Sequence, residues 1–367
     1  ECVEAVRATE WSVADQGAVV QPTVFIAFDL NLSGAGDFLT LDEPVRGKLD
    51  DSTYPLAGEV LVDVSEHVRS VDFKRGRPRE IDEFDAGQLS VTLDNRTRLF
   101  DPTAPASVSA FAAGILPRKQ IRVEVDGEPL FDGQVEDWDL EYSTSGDSIT
   151  IAKASDGFTI LGQQLLSSGA ASGFAFTGYS GSVINAVLSD AAVDWPISKR
   201  NIDRGYSLIG DQVIGTNVKA LNFLQDVANG EPGAFFIGKD GRATFRERLD
   251  LQTPTSLVFT DDGSGIPFTN IEVEFGTENL FTQVEVKYPT DQAVKATKTE
   301  SVDKFGLTTL TVDTFLSTTA QAQDLATFYS ERFGDPTYRV TGLGLNMDTL
   351  TTAQQESILE LELGAVV

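Results

Sequence analysis

The sequence predicts a mainly β protein with an α+β insert. It reads as a β domain over residues 1–155, a small α/β module over 156–255 and a second β domain over 256–367. Three observations predict this layout. The segments 121–125, 271–275 and 284–288 alternate apolar and polar residues with period two, as half-buried strands do. Helical stripes are confined to three places, about 182–191, 216–229 and 319–333. Glycine-bearing turn signals separate the alternating runs. A length of 367 residues itself favours two or three domains.

In the first domain, Ile121-Arg122-Val123-Glu124-Val125 is followed by Asp126-Gly127, the pair that supplies the positive φ angles of a tight hairpin. The return strand from Leu130 to Tyr142 places Trp138, Leu140 and Tyr142 on one face. Val135 falls out of that phase, which predicts a β-bulge near Glu136-Asp137. Ser143 to Asp147 turns the chain into a strand at Ser148–Ile151, and short strands at this spacing imply a barrel or sandwich. In the module, Ser182 is placed to cap a helix carrying Val183, Ile184, Val187 and Leu188. Thr216 or Asn217 is placed to cap a second helix that Gly230 stops. Residues 234–237 and 242–245, joined by Lys239-Asp240-Gly241, read as a hairpin. In the last domain, an amphipathic helix from Thr319 to Phe333 is closed by Gly334 and Pro336. Ile358 to Val367 reads as an alternating strand interrupted mid-pattern. With no initiator Met, this leads us to expect that the natural polypeptide continues.

Composition excludes several classes. Acids outnumber bases 56 to 28, a formal charge of −28 that opposes sequence-reading contact with nucleic-acid phosphates. One cysteine, Cys2, rules out an intrachain disulfide and a cysteine-cluster metal site, and fits a reducing compartment. No apolar run approaches the roughly 18 residues of a membrane-spanning helix. The segment Glu1-Cys2-Val3-Glu4 does not resemble the start of a signal peptide.

The search for catalytic chemistry is mostly negative. His67 is the one histidine available to a nucleophile triad, and its setting, Val64-Ser65-Glu66-His67-Val68, favours a surface strand or turn residue. Gly178-Tyr179-Ser180-Gly181-Ser182 lacks the final glycine of a nucleophile elbow. Asp261-Asp262-Gly263-Ser264-Gly265 lacks the ligand spacing of a calcium loop and reads better as a tight turn. No Walker loop, zinc-binding helix or dinucleotide fingerprint is present, so no cofactor is implied.

Two charge patterns stand out. The polar sides of the alternating runs are repeatedly glutamate, at Glu124, Glu272, Glu274, Glu285, Glu360 and Glu362. Solubility explains this in the plainer way, and a surface that must not adhere to a passing polyanion explains it functionally. Against the global charge, Lys74-Arg75-Gly76-Arg77-Pro78-Arg79-Glu80 carries a local +3, with Asp82, Glu83, Asp85, Asp94 and Asp101 following. Arginine forks paired with carboxylates, within the chain or across a subunit interface, fit this segment better than nucleic-acid binding.

The run from Val71 through Arg75-Gly76-Arg77 to Ala86-Gly87 and Leu93-Asp94-Asn95-Arg96-Thr97-Arg98-Leu99-Phe100-Asp101-Pro102 resembles minor tail proteins of long-tailed bacteriophages, especially those of actinobacteria. The segments 116–123 and Leu130-Phe131-Asp132-Gly133-Gln134-Val135-Glu136-Asp137-Trp138 continue the resemblance, which is specific over about residues 71–160 and looser beyond. The first 60 residues, with eleven acids against three bases, depart from it.

The resemblance implies a baseplate or tail-tip hub in which two tube-like β-barrel domains flank the α/β module. It implies a homotrimer that mates with a tail-tube ring or distal tail protein, seats the end of the tape-measure protein and anchors other tail-tip and receptor-binding proteins. Such a protein assembles in the host cytoplasm, resides in the virion, meets DNA only in transit and is not an enzyme. Arg75, Gly76, Arg77, Arg79, Asp94 and Asp101 are then assembly candidates, and the six glutamates above are channel-lining candidates. The alternatives are a hexameric distal tail adaptor, which one barrel rather than two would favour, and a carbohydrate-binding or cell-wall-degrading module. Three scattered tryptophans, Trp11, Trp138 and Trp195, offer little for a sugar platform.

Overall fold

The computed structural model describes residues 11–12, 21–28, 61–166, 175–213, 217–248, 251, 255, 257–288 and 292–366. The questions raised by residues 1–10, 13–20 and 29–60 lie outside these. The chain forms two compact units. Of the described residues, one holds those up to 73 and from 88 to 155; the other holds 74–87 and those from 156 onward.

The first unit is one mixed-order, largely antiparallel sheet. Its strands are β1 (Trp11–Ser12), β2 (Thr23–Ala27), β3 (Leu61–Asp63), β4 (Val68–Gly76), β5 (Asp85–Asp94), β6 (Gln120–Val125), β7 (Glu128–Glu141) and β8 (Ile149–Ser155). They lie in the order β1-β4-β5-β8-β7-β6-β2-β3. Alternation makes β6 half-buried, with Ile121, Val123 and Val125 inward. Asp126 and Gly127 take φ of 52° and 86°, the mirror-image turn that matches strand twist and joins β6 to β7 in two residues. The expected bulge is present: the β7–β8 register shifts between Val135 and Asp137. It returns Trp138 to contact with the core, where its indole N–H donates to the Leu116 carbonyl at 3.1 Å. Val24, Ile26, Val91, Leu93 and Phe131 fill the core, and Phe28 stacks on Phe111 at 4.5 Å.

The second unit begins with α1 (Gly157–Gln163), β9 (Ala175–Tyr179), α2 (Ser180–Leu188), β10 (Arg200–Ile202), β11 (Leu208–Val213), α3 (Ala220–Asn229), β12 (Ala234–Ile237) and β13 (Ala243–Arg246). The β12–β13 hairpin forms as expected, and β10 adds to β13 in parallel. All four residues of β12 are buried, because both of its faces are covered: Phe235 stacks on Phe158 of α1 and Phe236 packs against Phe84. Two helix starts differ from the sequence expectation. Helix α2 begins at Ser180, two residues before Ser182, as the chain enters directly from β9. Helix α3 begins at Ala220, because Asn217 adopts a left-handed φ of 67° and Lys219 is held in a bridge with Leu165.

After residue 256 come β14 (Asn270–Phe275), β15 (Gln283–Tyr288), β16 (Gln292–Thr297), α4 (Thr299–Phe305), β17 (Thr309–Asp313), α5 (Thr319–Phe333), β18 (Tyr338–Gly344) and α6 (Thr352–Leu359). Sheet β16-β15-β17 buries Val284 and Val286 against Ala322, Leu325 and Ala326 of α5, whose bounds match the sequence expectation. Strands β14 and β18 form a separate two-stranded ribbon. Among the described residues the molecule is thus mainly β with several helices, and neither β region closes into a barrel.

One expected strand is overturned. Of the run from Ile358, the first two residues end helix α6, which is started by a capping box in which Thr351 and Gln354 satisfy each other's backbone N–H groups, and residues 360–365 follow in turns rather than as a strand. Glu360 is its exposed C-cap residue and Glu362 lies in the following turn, so neither stands on a strand face.

Candidate assembly site

Arg75, near the end of β4 in the 74–87 stretch that belongs to the second unit, is held within that unit. Its Nη2 donates to the Ile237 carbonyl at 2.7 Å and to Glu362 Oε1 at 2.9 Å. The two side chains are only 10% and 15% exposed, so this pair is largely withdrawn from water. Glu362 Oε2 also accepts from the Lys239 N–H at 2.7 Å, tying the C-terminal turn to the β12–β13 hairpin. Gly76 takes φ 111°, a conformation that disfavours any side chain. The Arg77 guanidinium stacks over Phe84 at 4.6 Å and donates to the Asp82 carbonyl. Arg79 forks onto Asp82 through Nε and Nη2 at 2.9 and 2.7 Å, a pairing that raises its pKa.

Gly87 lies where no side chain fits: a Cβ would come 2.7 Å from Asp156 Oδ2. Its N–H donates to that oxygen at 2.8 Å, and Oδ1 of the same carboxylate caps α1 at the Phe158 N–H. Burial raises the Asp156 pKa to about 6, with those two hydrogen bonds and the Arg75 charge opposing the shift.

The second half of the motif builds a turn in the other unit. Asp94 accepts from the Arg96 side chain and backbone and lies 3.3 Å from Arg69, and its pKa is lowered to about 2, chiefly by the Arg96 hydrogen bond. Asn95 is buried and accepts from the Phe100 N–H at 2.9 Å, closing the loop around a left-handed Arg98 at φ 62°. Asp101 is fully buried. Burial alone raises its pKa, but hydrogen bonds from Thr103 and Arg98 overcome that and hold it below the ordinary carboxylate range. Phe100 is thereby driven into the core against Phe28, Phe111 and His67. His67, in a short 3-10 turn, packs there edge-on at 5.4 Å.

The remaining glutamates fall into different settings. Glu124 is half-buried beside Arg122, at 3.4 Å. Glu285 faces Lys295 across the β15–β16 ladder at 3.5 Å. Glu274 faces Arg339 across the ribbon at 3.6 Å, while Glu272 is exposed. Asp262 turns its chain by accepting from Ser264, with Gly263 at φ 82°, the tight turn read from the sequence.

Three features escaped the sequence reading. Glu231 is fully buried, accepting from the Ser180 hydroxyl and from the Tyr206 and Ser207 N–H groups. Its position after the Gly230 helix stop marks it only as a loop acid. A cleft of about 320 Å³ is lined by Arg79, Glu80, Arg332, Asp335 and β18 residues Tyr338 and Arg339. The ribbon itself leaves Ile271, Val273, Phe275 and Tyr338 47–64% exposed, with the two rings stacked at 4.6 Å. The alternation of β14 does signal an apolar face; nothing local says that the face stays uncovered.

Among the described residues no helix is long and apolar enough to cross a membrane, and no cluster of three or more histidine, cysteine or acidic side chains is arranged to hold a metal. No family model and no curated protein matches the chain. The chain is weakly similar to three solved structures. They are the tail protein from Neisseria meningitidis MC58 (13% identity, TM-score 0.48, 84% of this chain and 74% of that one), the 43 kDa tail protein of prophage MuSo2 from Shewanella oneidensis (11%, 0.47, 85% and 78%) and prophage tail protein gp18 from Listeria monocytogenes EGD-e (9%, 0.46, 86% and 79%). All three TM-scores are below 0.5, and no role is transferred from them.

Proposed function

We propose that this chain is a structural component of a phage tail tip, a trimeric hub whose copies form a ring around the path of the genome. The observation that carries the reading is the ordered motif series from Arg75 to Trp138. Its charged residues resemble those of minor tail proteins in order and spacing, and here they serve as turn-forming and paired groups. That is the work of a scaffold. A net charge of −28, with Glu272 exposed and Glu274 about half exposed on β14, suits a protein that DNA passes without adhering. In this reading the ring caps the tail tube, seats the tape-measure end and anchors receptor-binding parts.

A second reading, the hexameric distal tail adaptor, is favoured by one observation: the described residues after 255 form a ribbon and a three-stranded sheet, not a second barrel. Immunogold labelling of tailed particles that carry this chain tests the common part. Label confined to the tail end supports a tail-tip role, and label elsewhere or absent overturns it. Counting copies per particle, three or six, separates the hub from the adaptor.

A further inference from the structure

We propose that the β14–β18 ribbon is the element by which copies of this chain join, the outer edge of β18 in one copy pairing antiparallel with the outer edge of β14 in the next. This rests on the ring reading above and names the surface that would build it.

The ribbon is unfinished as a structure. Two strands alone are marginal in water, and among the described residues these two pair only with each other, leaving two edges without a strand partner there. Cα partners share a face, so Phe275 with Tyr338, Val273 with Val340 and Ile271 with Leu343 make one side apolar, and Glu274 with Arg339 lie on the other. Four of the apolar side chains are about half exposed or more, an unusual concentration for a single strand pair.

Charge selects the occupant. A chain of net charge −28 repels its own copies, so any attraction between them must be local. Repeating the intrachain register between copies sets Arg339 between two glutamates, its own Glu274 and that of the neighbour. It also sets Tyr338 between two Phe275 rings and Val340 between two Val273 side chains. Every apolar side chain gains a cross-strand neighbour, and charges alternate in sign across the sheet. The symmetric alternative, β14 on β14 centred at Val273, sets Glu272 against Glu274 twice and is repulsive. Pairing β18 on β18 centred at Val340 sets Arg339 against Thr341 and leaves both β14 edges open. The head-to-tail arrangement is therefore preferred, and it is the arrangement that closes into rings.

Sedimentation velocity of the full chain tests this with two charge reversals, Glu274→Arg and Arg339→Glu. Each breaks the intrachain pair and the proposed contact, and each should weaken self-association at least about tenfold. An equimolar mixture restores opposite charges at every contact between unlike copies, so it should regain association at least to the dimer, a three-membered ring keeping one like-charged contact; this recovery also shows that neither variant had simply misfolded. Wild-type protein that stays monomeric at high concentration, variants that associate like wild type, or a mixture that fails to recover would each overturn the proposal. Association that persists in the variants places the ring contact elsewhere and leaves the ring reading standing. The tail-tip reading is decided separately, by the position of the label on particles.

Discussion

Arg75 and Glu362, 287 positions apart in the chain, meet at 2.9 Å in a largely buried ion pair. The contact explains why a basic segment sits in an acidic protein. Arg75 also holds the Ile237 carbonyl, so one guanidinium ties the 74–76 stretch, the β12–β13 hairpin and the C-terminal turn of the same unit together.

Breaking that pair from either side leaves a charge with little water. Arg75→Ala should destabilise the unit by about 2–4 kcal/mol, and Glu362→Gln by about half as much. Urea denaturation followed by tryptophan fluorescence reports it, since Trp195 packs against the same core. Equal stability of Arg75→Ala and wild type would show the pair to be ornamental.

Asp226 gives a pH-dependent case. Burial, with repulsion from Glu83 and Asp313, raises its pKa from 3.8 to about 6. A folded pKa above the unfolded one means that the protonated form is the one the fold prefers. The benefit is complete below about pH 4 and is lost as pH rises through 6. Asp226→Asn should therefore stabilise the protein at pH 7, by about 1–2 kcal/mol after allowance for partial exposure, and change little at pH 4. Melting curves at the two pH values check the difference.

Asp94 behaves oppositely. Its pKa, lowered to about 2 by Arg96, means that its contribution is present above about pH 4 and disappears as pH falls through 2. Asp94→Asn should cost about 1 kcal/mol at neutral pH, and the variant and wild type should converge in acid. Acid titration by circular dichroism shows whether the two curves meet.

Gly133 tests the close packing of β7 on β8. A Cβ there would come 2.3 Å from the Ser155 carbonyl oxygen, which is backbone and cannot swing aside. Gly133→Ala should cost about 2–4 kcal/mol. Gly127→Ala meets nothing within 4 Å and pays only for its positive φ, about 1 kcal/mol. Comparable melting temperatures for the two variants would contradict this account.

The sequence alone determined whatever depends on neighbours within a few residues. The Asp126-Gly127 turn, the bulge at Val135–Asp137, the β12–β13 hairpin and helix α5 with its Gly334 stop follow from local backbone preference and periodicity. The capping box Thr351-x-x-Gln354 was equally legible, and the alternation of leucine and glutamate after Ile358 masked it. Tertiary structure decided the rest, because burial is a property of distant chain segments. Alternation marks β6 and β14 alike, yet β6 turns Ile121 and Val123 into the core that holds Leu93 and Phe100, while among the described residues β14 leaves its apolar side about half exposed. No local pattern places Arg75 beside Glu362 or Gly87 beside Asp156. Those partners are set by how strands and helices pack, and their charges acquire meaning only once water is removed around them.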